Sequence, residues 1–122
     1  MTTKIDGTNG IIFPDATTQS TAAVSIGLGQ TWQNMLSPSV LRAIGTTYTN
    51  STNKPICVYA WTSAGTTTGG IQITIGSVVL PATYSSSSNT TWVIQAIIPP
   101  GTNYTISRIS GSDALAGWAE LR

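Results

Sequence analysis

The chain has 122 residues, one Cys, no His, and five basic against four acidic residues, for a formal net charge of +1. Only 7% of its residues are charged, against roughly 25% in an average globular protein. So few cations exclude a nucleic-acid binder that works by neutralising many phosphates, and leave no basic patch for an anionic membrane. The missing His removes Ser-His-Asp triads and zinc sites of the usual kind, and a single Cys cannot form an internal disulfide. Thr, Ser and Gly take the place of the charges, while Lys, Glu, Arg and Leu are scarce. That balance favours strands and turns over helices and predicts an all-β protein with a hydroxyl-rich exterior.

Residues 1–28 come first and read as thin. In "GIIFPDATTQSTAA" (residues 10–23) an apolar burst stops at Pro14-Asp15, and a run of Thr, Gln, Ser and Ala follows. Ile11, Ile12, Phe13, Val24 and Ile26 have no evident partner within the segment. Packed round an axis with symmetry copies, three such side chains would contribute roughly 4–9 kcal/mol before entropy. The expectation is a short, interwoven trimeric neck; the alternative is a disordered tail. Gly27 and Gly29 predict a flexible joint.

Residues 29–122 read as strands divided by regular turns, the pattern of an antiparallel β-sandwich. A helix over 33–43 is interrupted by Pro38. Strands are expected at 41–49, 56–61, 71–80, 91–98, 103–109 and 115–122. The clearest, "IQITIGSVVL", holds a hairpin whose Gly76-Ser77 suits a type II′ turn. Side chains alternate faces along a strand. "IQITI" is apolar on one face only, whereas "ICVYAW" is apolar on both, with Ile56, Val58 and Ala60 opposite Cys57, Tyr59 and Trp61. "WVIQAII" behaves likewise. Such an outer face needs cover from another protomer, a ligand or a folded-back loop.

Catalytic material is sparse. A glycosidase needs paired carboxyl groups, and the four here are Asp6, Asp15, Asp113 and Glu120. Each has an ordinary structural role open to it. No Gly-rich phosphate loop joins a strand to a helix, so no cofactor is expected. Cys57, inside "PICVYAW", reads as a small buried hydrophobe. The sequons at Asn50, Asn89 and Asn103 arise readily in a Thr- and Ser-rich chain. No stretch has the length of a membrane span, and the N-terminus has no basic-then-apolar signal pattern. For binding, loops 62–70 and 82–91 offer aromatic and polar groups together. Tyr84 and Asn89 are surface candidates. Trp61 and Trp92 are candidates too, but large aromatics usually bury their area in a core or interface. Trp32 and Trp118 read as packing residues. Arg42 and Arg108 suit an intersubunit salt bridge or an anionic sugar.

"NGIIFPDATTQSTAA" resembles a "G-I-x-F-x-D-x-T-x-Q-x-T-A" segment found near the C-terminal end of tailed-bacteriophage and prophage tail fibres. "GLGQTWQNM", "GTTYTNSTNKPICV" and the closing Trp118–Arg122 run resemble the tip domain that often follows it. The resemblance spans nearly the whole chain and departs from the pattern at "NMLSPSVLRAI". It implies the distal end of a longer fibre, outside the cell in the virion. There a homotrimer with a β-sandwich head would bind a bacterial surface receptor, a polysaccharide or an outer-membrane protein; the sparse catalytic inventory, taken separately, predicts no enzymatic activity. A trimerising collar with no ligand and a polysaccharide depolymerase are the competing expectations.

Overall fold

The computed structural model describes residues 2–8, 10–19, 25–65, 68–80, 84–87 and 89–122. Among these the protein is all-β, without a helix. The strands are β1 (Lys4–Asp6), β2 (Gly10–Ile12), β3 (Thr18–Gln19), β4 (Trp32–Asn34), β5 (Leu36–Ser37), β6 (Val40–Leu41) and β7 (Thr47–Thr49). They continue with β8 (Ile56–Thr62), β9 (Gly69–Ile75), β10 (Val78–Leu80), β11 (Tyr84–Ser85), β12 (Val93–Ile98), β13 (Asn103–Ser110) and β14 (Leu115–Leu121).

Two antiparallel sheets make the body. One runs β12-β8-β14-β4; the other runs β10-β9-β13-β7, with β11 also on β9. Their inner faces supply one core. Ile56, Val58 and Ala60 of β8, Ile94, Ala96 and Ile98 of β12 and Trp118 of β14 meet Ile71 and Ile73 of β9 and Tyr104 and Ile106 of β13. Each is an alternate residue of its strand, so the period of two selects them. Fully burying one such aliphatic side chain is worth about 1.5–3 kcal/mol, which is why the long strands hold their register. The expected β9–β10 hairpin is present: Ile75 pairs with Val78, and Gly76 takes φ +59°.

The N-terminal strands β1, β2 and β3 form their own antiparallel sheet. Its β2–β3 turn explains why the apolar burst ends at Pro14. The Phe13 carbonyl accepts the Ala16 amide at 3.0 Å, and Asp15 Oδ1 accepts the Thr17 amide and hydroxyl at 3.0 and 2.6 Å. Those bonds from Thr17, the hydroxyl first, hold the Asp15 carboxyl below its ordinary pKa. This sheet leaves apolar groups open: Ile5 is 89% exposed, Phe13 in its turn is partly exposed, and Ile11 and Ile12 are half-buried; Ile26, past the sheet, is partly exposed as well. Val24 lies outside the described residues.

Several local expectations differ from the structure. The joint at Gly27 and Gly29 is pinned: the Gln30 amide donates to the Pro55 and Leu121 carbonyls at 2.8 and 3.3 Å, and Lys54 Nζ to Leu28 O at 2.6 Å. Residues 41–49 are not one strand. Val40–Leu41 pairs back on Leu36–Ser37 around Pro38, and Gly45 at φ +83° turns the chain before β7. Pro38 thus sits in a hairpin and not in a helix over 33–43, because it tolerates a turn and not a helix interior. Trp32 is no packing residue. It stands on the outer face of an edge strand, 54% exposed. The Asn50 sequon is buried, with the side-chain amide donating to Lys54 O and Ile98 O and its oxygen accepting from Thr52.

Candidate functional site

The outer faces of the two sheets differ in chemistry. On the five-stranded sheet the cross-strand row is Val79, Thr74, Thr105 and Thr47, with the Thr47 and Thr105 hydroxyls bonded at 2.8 Å. That row is mostly hydroxyl-bearing, with Val79 exposed at its edge. On the four-stranded sheet three rows face outward. Ile97, Cys57, Leu121 and Trp32 make the first, Gln95, Tyr59, Ala119 and Asn34 the second, and Val93, Trp61 and Gly117 the third. No outward residue in these rows carries a charge. Ile97 is 58% exposed, Tyr59 and Trp32 are exposed, and Trp61 is half-buried.

Trp32, Tyr59, Trp61, Gln95 and Ala119 line a cavity of about 400 Å³ on this face. Gly117 shapes it. A Cβ there would come within 2.0 Å of the Trp61 indole, so the ring lies directly on bare backbone. The Tyr59 and Trp61 rings are 5.5 Å apart and tilted by 50°. The result is an aromatic shelf with amides at its margins. Such a surface suits a ligand ring with apolar C–H faces and peripheral hydroxyls.

Trp61 also connects the shelf to one end of the sandwich, because β8 stops one residue later. The two loops singled out in the sequence converge there. The Asn89 amide donates to Gly65 O at 2.6 Å, and Tyr84 of β11 pairs with Gly70 of β9. Tyr84 is 59% exposed, and Asn89 is exposed at φ +67°, a conformation Asn tolerates. A third loop joins them through the Ser63 amide, which donates to Ala114 O at 2.9 Å. Trp92 has to be withdrawn as a contact residue. It is 0% exposed and packs in the core, while its amide donates to Thr62 Oγ1 at 3.1 Å. Its place before β12 puts it on the inner side with Ile94 and Ala96, as the period of two requires.

Sequence reasoning passed over one polar centre. Glu120 is fully buried. Its carboxylate accepts Tyr104 Oη at 2.5 Å and Trp118 Nε1 at 3.0 Å, and pairs with Arg42 at 3.4 Å and Arg122 at 3.2 Å. The Arg42 guanidinium lies 4.0 Å over the Tyr48 ring. Burial first, and then Glu120, push the Tyr104 phenol well above its ordinary pKa. The signal was available: Glu120 shares the inward side of β14 with Trp118. Bonded to Tyr104 and Trp118 and paired with two arginines, this carboxylate ties β14, β13 and the β6 edge together. Among the described residues no cluster of three or more metal-ligating side chains occurs, and no helix is long and apolar enough to cross a membrane. No protein-family model, curated protein or solved structure matches the chain.

Proposed function

We propose that this chain is the distal tip of a phage tail fibre, a homotrimer that attaches the virion to a glycan on the bacterial surface. The observation that carries the reading is the uncharged aromatic shelf of Trp32, Tyr59 and Trp61, on a sheet whose strand β8 runs into the loop that meets Asn89 and Tyr84. Stacking on aromatic faces with amides at the rim recognises a sugar without calling on charges that the chain lacks. The open apolar side of β1–β3 supports the trimer, since its copies are the nearest cover of matching chemistry. Three sites on one fibre end would turn weak single contacts into firm attachment. The proposed role is adhesion without bond cleavage, a reading supported by the engagement of Glu120, one of four carboxylates, with four structural partners.

The test is attachment of the fluorescently labelled full chain to a panel of bacterial strains. On a strain that binds the protein, Trp61→Ala and the double variant Tyr84→Ala, Asn89→Ala should each lower attachment by roughly tenfold, the loss of one or two good contacts. Attachment unchanged in both would contradict the site. Shortened chains after incubation with purified surface polysaccharide would contradict the absence of catalysis.

A further inference from the structure

We infer that a second site, a groove distinct from the aromatic shelf, takes a carboxylate-bearing sugar residue. The inference rests on the reading of the protein as a glycan-binding tip and extends it to the charge of the glycan. The groove, about 510 Å³, opens between the two sheets beside the β5–β6 hairpin. Its walls are Leu36, Leu41, Ile44 and Leu115, and its two polar members are Arg42 and Arg108. The whole chain has five cationic side chains, so two of them in one apolar groove is a concentration of charge.

Both guanidiniums are held in place without being used up. Nε and Nη2 of Arg42 face Glu120 at 3.4 and 3.5 Å while the plane stacks on Tyr48, which leaves Nη1. Arg108 shares the inward side of β13 with Tyr104 and Ile106, but it lies where the sheets part, so it is exposed instead of buried. Its Nη2 donates to the Asp113 carbonyl at 3.0 Å, and among the described residues it makes no ion pair. Glu120 already has two arginines, Arg42 and Arg122, so the cluster around it carries one positive charge in excess before Arg108 is added. A planar carboxylate matches a guanidinium fork, and the leucine and isoleucine walls match the C–H face of the ring that carries it. Neutral sugars would leave that charge unanswered, and the sparse charge elsewhere gives an anion no comparable alternative.

The experiment is a titration of the full chain with an oligomer of galacturonic acid, read by calorimetry or NMR at low salt. A neutral oligosaccharide of equal length serves as control. The expected result is saturable binding that falls about tenfold in Arg108→Gln, the loss of one charge-assisted hydrogen bond. It should fall comparably in Leu41→Glu, which places a like charge at the groove mouth on a residue 72% exposed and so safe for folding. Binding should also weaken in 0.5 M NaCl. No saturable binding, equal binding of the neutral oligomer, or full binding by both variants would overturn the inference. Attachment to cells, measured in parallel, separates the two readings: a silent oligouronate titration with Trp61-dependent attachment intact removes the groove and leaves the adhesion function standing.

Discussion

At the scale of single residues, Glu120 matters most to the body of the protein. Glu120→Gln would leave Arg42 and Arg122 partly buried without their counter-charge. We expect a loss of about 3 kcal/mol in urea unfolding, far above the effect of a typical surface change. Tyr104 adds a pH dependence. An unfolded Tyr loses its proton near pH 10, whereas the buried phenol keeps it to higher pH. Above about pH 10 the folded state therefore holds the extra proton, and its stability should fall by about 1.4 kcal/mol per pH unit. Below that pH the contribution is constant. Tyr104→Phe should remove this slope, and a slope equal to that of the parent protein would contradict the assignment. At the shelf, Gly117→Ala drives a methyl into the Trp61 indole. It should cost about 1–3 kcal/mol of stability, as overpacking does, and disturb attachment along with it. Ala16 is held at φ +67° in the β2–β3 turn, so Ala16→Gly should leave that turn intact.

At the scale of elements, the long strands were legible because each carries its own period and its own turn signals. β8, β9, β12, β13 and β14 fall within one or two residues of the expected limits. The stretch from Trp32 to Thr49 was not legible. Its strands are two or three residues long, too short for a period to be read, and Pro38 gave a break without saying what kind. The shelf was half legible. Alternation put Tyr59 and Trp61 on the outer face of β8, but bringing Trp32 beside them needs the register of β14 against β4, which only long-range pairing sets. Alternation set Trp92 with Ile94, Ala96 and Ile98, the face that is buried, and only its closeness to the polar 82–91 loop made it a contact candidate. The β9–β10 turn allows a direct check: Gly76→Ala meets open space, with Thr102 Cγ2 at 3.8 Å, so only its positive φ opposes the change. A loss of about 1–2 kcal/mol is expected, and less for Gly76→Asn, by thermal unfolding.

At the scale of the whole molecule, one sheet face is mostly hydroxyl-lined, the other is aromatic and open, and the N-terminal sheet leaves apolar side chains exposed. Ile5 and Phe13 face solvent there, as does Ile26 beyond it, and the Gln30 and Lys54 bonds hold the joint against the sandwich. In the proposed trimer, three copies sharing that sheet would hide its apolar groups and supply three shelves. The most direct measurement is the molar mass in solution by sedimentation, for the full chain and for a chain beginning at Gly29. Three times 12.7 kDa is expected for the full chain, and dissociation for the shortened one. A full chain that sediments at 12.7 kDa would contradict the trimer.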